Sequence, residues 1–293
     1  MKTALKTSFK QSLQAYLFLA PALVLFAVFS FWPVGYGSYL AFTDYSLIKP
    51  SHWVGLDNFR YIFGNEMFVT GLKNSLLFLL IVPVIQVGAI TLAVLVNNNL
   101  PGIRLFRTAF YIPVITTISV VGIMWGFMFH EQGTLNYVLT QLRIVNQPVG
   151  WLSDDSIALF SVMFVTVWRG LGWYMVMYLA GLQGIPAEMQ EAAILDGANR
   201  WQRFWKITVP MLRPTIMVCS IMSVLAALKA YQEVLVLTQG GPLNSTFTAL
   251  YYAYDQGLKH LKLPRGLAAS FVVSICCIGI MLLCLRYIKS KHR

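Results

Sequence analysis

Six stretches of this chain stay apolar for about the 20 residues a helix needs to cross roughly 30 Å of hydrocarbon. That feature leaves few folds open. Within lipid every backbone N–H and C=O must be satisfied inside the protein, so a segment of this kind crosses as a helix. The runs lie near residues 16–40, 74–96, 108–129, 157–180, 214–237 and 266–288. Only 11% of the 293 residues are charged, against about 25% in soluble domains. The expected fold is all-α: a polytopic membrane protein with six transmembrane helices. The first run follows Lys2, Lys6 and Lys10, as the apolar core of a signal peptide would. It is long, however, ends across Trp32 and Pro33, and is followed by no clear small-residue cleavage pattern. A retained first helix is expected.

The formal charge of +11 raises nucleic acid as a partner. No basic stripe interleaved with stacking aromatics occurs in a soluble segment, so that class is set aside. The positive-inside rule accounts for the excess. With the N-terminus inside, the cytoplasmic segments and Arg286 hold 13 Lys and Arg, including Arg104, Arg107, Arg200, Arg203, Lys206 and Arg213, and the outer loops hold seven. Both termini are thus expected to be cytoplasmic. The chain divides into a tail, first helix and external loop (1–73), a five-helix core (74–288) with a cytoplasmic loop at 181–213, and a short tail (289–293). Cys219, Cys276, Cys277 and Cys284 all fall in apolar runs, and none forms C-x-x-C. Packing suits them better than a disulfide framework.

The loop between the fourth and fifth runs reads "EAAILDGANRWQRFWKITVP" over residues 191–210. It is longer than an ordinary helix connection. Pro186 suits a first helical turn, and Glu188 and Glu191 follow near the positive end of the helix dipole. Gly197 either ends that helix or admits a close neighbour. A second short helix is expected from residue 199 or 200 to about 208, with Trp201, Phe204, Trp205 and Thr208 on one face. Such a face either lies on anionic lipid or docks in a partner's groove.

No Gly is followed by Lys, so the chain carries no Walker-type phosphate loop. His52, His130, His260 and His292 fall in loops or the tail, and "HEQGT" at His130 lacks the second His of a zinc helix. No paired carboxylates or Ser/His/Asp set come together, so neither a catalytic cluster nor a metal site is expected.

Ionisable groups inside spans are costly and often functional. Arg169 sits near mid-span with no acid on its own helix face. It either faces the pathway, where a cation suits an anionic solute, or bonds a backbone carbonyl. Lys229 and Glu233 lie four apart and read as a same-helix pair, or one of them faces a wet cavity. Ser220, Ser223, Ala226, Ala227 and Ala230 form a small-residue stripe that serves close helix packing or lines a path. Trp173 serves as an aromatic platform facing the pathway or as an interfacial anchor.

At the 191–210 loop the sequence resembles a known family. Glu191-Ala192-Ala193, Gly197, Ile207 and Pro210 match the E-A-A-x3-G-x9-I-x-L-P pattern of the permease subunits of bacterial ATP-binding-cassette importers, with Val209 in place of Leu. Four further blocks, in order, resemble the carbohydrate branch related to maltose, lactose and glycerol-3-phosphate permeases. They are "LFLAPALVLFAVFSFWPVGYGSYLAFTDYS", "WVGLDNFRYIF", "RLFRTAFYIPVITTISVVGIMW" and "LTQGGPLNSTFTALYYAYDQG".

The resemblance implies a permease of the bacterial inner membrane that forms half of an alternating-access pathway. It implies a second, homologous permease in a heterodimer, two cytoplasmic ATPase subunits carrying ATP and Mg, and an extracytoplasmic solute-binding protein. This chain would bind no cofactor itself. Glu191, Ala192, Ala193, Asp196, Gly197, Trp201, Phe204, Ile207 and Pro210 become candidates for ATPase coupling. Gly170, Trp173 and Ser223 occupy solute-site positions beside Arg169, Lys229 and Glu233. The turn Gly240-Gly241-Pro242 is a candidate contact for the binding protein. The solute would be a sugar, an oligosaccharide or a relative such as glycerol 3-phosphate. The alternative is a stand-alone secondary transporter, which needs an ion relay.

Overall fold

A computed structural model describes residues 16–46, 48, 50–97 and 101–290. The basic stretch with Lys2, Lys6 and Lys10, and Lys49, Lys291, His292 and Arg293, lie outside the described residues. Four helices are long and apolar enough to cross a membrane: α1 (Tyr16–Leu40), α3 (Glu66–Val96), α7 (Ala158–Gln183) and the apolar part of α13 (Leu263–Ser290). Two bent pairs complete a set of six. The first is α4 (Ile103–Ile115) with α5 (Ile118–Met128), and in the second the crossing helix α10 (Arg213–Leu228) is bent by 68° from α9 (Arg200–Met211), which belongs to the connecting hairpin. Short helices fill the connections: α2 (Asp57–Phe63), α6 (Thr134–Gln141), α8 (Ala187–Leu195), α11 (Gln232–Leu237) and α12 (Ala249–Tyr254). Among the described residues β-pairing amounts to one isolated bridge, Thr43 to Trp53.

Two expected straight spans are broken, each for a local reason. The third bends by 102° between α4 and α5. Pro113 removes a helical donor, and Thr116 and Thr117 adopt extended backbone. The fifth stops at Leu228 and restarts at Gln232 as α11. At the break the Thr248 hydroxyl donates to the Ala230 carbonyl at 2.6 Å. This corrects the expected Lys229–Glu233 pair: the two residues do not share a helix, and Glu233 finds a partner on α7 instead. The second span also starts earlier than expected, at Glu66, where the Asn65 side chain caps the Met67 N–H.

The centre of the bundle is the α3–α7 pair, with α4 and α10 packed against it. Contact is backbone-close where glycine allows it. A Cβ on Gly172 would lie 2.0 Å from the Phe110 carbonyl oxygen of α4. Polar side chains between the central helices bond one another. Tyr178 donates its hydroxyl to the Gln86 Oε1. The Gln86 amide donates to the Ser223 Oγ at 2.8 Å and to the Cys219 carbonyl at 3.3 Å. The Arg107 guanidinium closes α3 by donating to the Val96 carbonyl at 2.6 Å and 3.2 Å. By contrast, none of the most apolar window of α1 is buried. It meets the bundle near its end, where Gly37 lies beside Leu267 of α13.

Candidate functional sites: an exposed hairpin and a membrane cavity

The 186–212 hairpin is built by local rules. Helix α8 ends in a Schellman turn: Gly197 N donates to Ile194 O, and Ala198 N donates to Ala193 O, at 3.0 Å and 2.9 Å. This closure needs a left-handed residue, and Gly197 has φ +78°. Of the two roles open to Gly197, the helix stop is the one observed, since nothing lies within 4 Å of a Cβ placed there. Helix α9 then starts in a capping box. Gln202 N donates to Asn199 Oδ1 at 2.8 Å, and Asn199 N donates to Gln202 Oε1 at 2.9 Å.

Within α9, residues Phe204–Thr208 form a π-turn just before Pro210. A widened turn relieves the clash of a proline ring with the preceding carbonyl. It also splits the expected one-face stripe. Trp201 and Trp205 are exposed, Phe204 and Ile207 are half-buried, and Thr208 is buried, accepting from Gln190 Nε2 at 3.3 Å. Glu191, Ala192 and Asp196 are exposed, and Ala193 and Pro210 are half-buried. The result is a fixed tip with large apolar side chains in the open: Leu195 is 88% exposed and Trp201 70%. Such a patch marks an interaction site.

The cavity lies between α3, α7, α10 and α11 and measures roughly 440 Å³. The structure brings five of the six expected pathway residues to it: Arg169, Gly170, Trp173, Ser223 and Glu233. Lys229 is exposed and is not part of the lining. Arg169 Nη1 stands 3.7 Å from Glu233 Oε1, with side chains 30% and 13% exposed. Arg169 thus has a carboxylate partner across helices, which its own helix did not supply. Trp173 is 41% exposed. Ser223 is buried and its hydroxyl is committed, accepting from Gln86 and donating to Ser220 O at 3.0 Å. Ala226 and Ala227 of the small-residue stripe line the wall, while Ala230 is buried under Thr248.

At the end of the bundle away from the hairpin, Gly240-Gly241-Pro242 opens a loop with a cis bond before Pro242. Leu243, 87% exposed, stands at its tip. The tip borders a polar groove with Ser153, Asp154 and Asp155. The Ser156 hydroxyl and N–H both donate to Asp154 and hold its carboxyl below the usual carboxylate range. The loop is strapped down from below. The Asn74 amide donates to the Ser245 and Phe247 carbonyls at 2.7 Å and 2.8 Å, and Ser75 Oγ accepts from Ala249 N. A search for ionisable groups passes over Asn74 and Gln86, although an uncharged amide in an apolar run is itself a signal of a bonded partner. Among the described residues no group of three or more metal-ligating side chains comes together.

Fold and sites together define a polytopic transport protein with a membrane cavity and a protruding hairpin. Residues 17–289 match the family described as the binding-protein-dependent transport system inner membrane component, and the chain belongs to that family. It is 34% identical to the probable ABC transporter permease protein YesP of Bacillus subtilis, over 91% of this chain and 87% of that one. It is 33% identical to the lactose transport system permease protein LacF of Rhizobium radiobacter, over 87% of each. The fold is that of a chain in a bacterial ABC transporter involved in the import of the acidic polysaccharide alginate. That match has a TM-score of 0.84 at 23% identity, covering 98% of this chain and 99% of the other.

Proposed function

We propose that this chain forms one half of the solute pathway of an ATP-driven carbohydrate importer, with a second permease supplying the other half. Both termini and the 186–212 hairpin face the cytoplasm. The hairpin seats in a separate ATPase subunit, which holds the ATP and Mg. The 240–242 loop faces outward and meets the solute-binding protein. Closing of the ATPase pair moves the two hairpins, and the cavity between α7, α10 and α11 opens alternately to each side.

One observation carries the coupling assignment: a hairpin fixed by a Schellman turn and a capping box nonetheless leaves Leu195 and Trp201 in the open. Ordering exposed apolar groups is favourable only if something covers them; burying one leucine contributes about 1.5–3 kcal/mol. The carbohydrate assignment draws on relatives named for lactose, sn-glycerol 3-phosphate and arabinooligosaccharides, and on an exposed Trp beside polar groups in the cavity. Glu191→Lys reverses the charge on the exposed face of α8. In the reconstituted complex it is expected to cut solute-stimulated ATP hydrolysis at least tenfold, roughly 1.4 kcal/mol of coupling, while the chain still inserts. Unchanged stimulation sinks the docking assignment.

A further inference from the structure

We propose that Glu233 sets the charge selectivity of this half of the pathway, so that the cavity takes neutral polyhydroxy solutes and turns anionic ones away. The inference rests on the carbohydrate-importer reading. Among the described residues lining the cavity, Arg169 is the one cation and Glu233 the one acid. They come from different elements, α7 and α11, and the break between α10 and α11 is what lets Glu233 meet α7. Without Glu233, a partly exposed guanidinium with five N–H donors would be an anion site. With Glu233 beside it, the wall is neutral. An anionic solute must displace the carboxylate or sit within a few ångström of it, where like charges repel more strongly than in water.

A neutral sugar meets no such opposition. The 3.7 Å separation exceeds a direct N–H···O bond of about 2.7–3.2 Å, so donors on Arg169 and lone pairs on Glu233 remain open. A solute hydroxyl matches that spacing, accepting from the guanidinium and donating to the carboxylate. Trp173 offers the apolar face that pyranose C–H groups require. Of the other hydroxyls lining the cavity, Thr166 donates to Val162 O and Ser223 to Ser220 O, while Tyr174 adds a phenolic hydroxyl to the wall. Charged recognition falls on the Arg169–Glu233 pair.

The test uses the whole transporter complex in lipid nanodiscs and saturation-transfer NMR, which reads weak binding. The probes are lactose and arabinotriose against digalacturonate and glycerol 3-phosphate. Wild type is expected to favour the neutral probes. Glu233→Gln is expected to shift the anionic-to-neutral ratio upward by about tenfold or more. Glu233→Asp, which restores the carboxylate, is expected to return it toward wild type. Arg169→Gln with Glu233→Gln, which leaves no charge unpaired, is expected to bind neither class preferentially. A wild-type preference for the anionic probes, or a ratio unmoved by Glu233→Gln, overturns the proposal while leaving a carbohydrate importer in place. Binding of neither class by wild type overturns the carbohydrate reading itself, and the proposal with it.

Discussion

At the residue scale, Gly197 and Asn199 do the most with the least. Gly197 supplies the left-handed step that closes α8, and Asn199 opens α9 two residues later. An alanine at Gly197 must hold φ near +78°, at a cost of roughly 1–2 kcal/mol. An alanine at Asn199 orphans a first-turn N–H, at about 1 kcal/mol. Both substitutions are expected to loosen the angle between the two helices rather than unfold the chain. Uptake per ATP hydrolysed should fall in reconstituted vesicles, more for Gly197→Ala, with complex yield unchanged. Equal efficiency to wild type in both variants means the hairpin's rigidity is irrelevant to coupling. The stop at Gly197 was legible as one of two roles because its rule is local, a Gly after a helical run; the cap at Asn199 went unread, although an Asn three before a Gln is as local a signal. Arg169 was not, because its partner is 64 positions away and sequence spacing shows only partners on the same helix.

At the element scale, the strap at residues 245–249 ties α3, α11 and α12 together. It takes two carbonyl bonds from Asn74, one N–H bond to Ser75 and the Thr248 bond to Ala230. Gly71 on α3 completes the seat, since a Cβ there would lie 2.9 Å from the Thr248 carbonyl carbon. Backbone cannot yield as a side chain does. Gly71→Ala is thus expected to lift the strap, and Asn74→Ala to orphan two carbonyls at about 1–3 kcal/mol each. Thermal unfolding of the purified complex should shift down for both, and stimulation of ATP hydrolysis by the binding protein should fall. An unshifted melting point in both variants shows that the strap carries no stability. This contact also explains why the fifth span was misread as one helix. Residues 229–231 carry no Gly or Pro to mark a stop, and the bond at the break comes from Thr248, beyond the next loop. The bend of the third span was missed as well, although its signals, Pro113 and the Thr116-Thr117 pair, lie within it.

At the scale of the whole molecule, six spans and two exposed tips fix which surfaces share a side of the membrane. Four spans separate Leu195 on the hairpin from the expected position of the N-terminal tail, and one span separates it from Leu243. Leu195 and Leu243 therefore face opposite compartments in this topology, and the proposed orientation, argued from the Lys and Arg bias, puts Leu195 in the cytoplasm. The two side chains are almost equally exposed, so access to a water-borne reagent reports sidedness rather than burial. The four native cysteines are free, buried or half-buried in spans, and are replaced by serine or alanine for the measurement. Leu195→Cys is expected to react with a membrane-impermeant maleimide in inside-out vesicles alone, and Leu243→Cys in right-side-out cells alone. Adding the ATPase subunits should then protect Leu195→Cys and leave Leu243→Cys reactive, since a subunit that covers the hairpin cannot reach the far end. Labelling of both positions from one side contradicts the six-span topology. The reverse pattern keeps the topology but inverts the chain, and with it every assignment of motor and binding-protein faces.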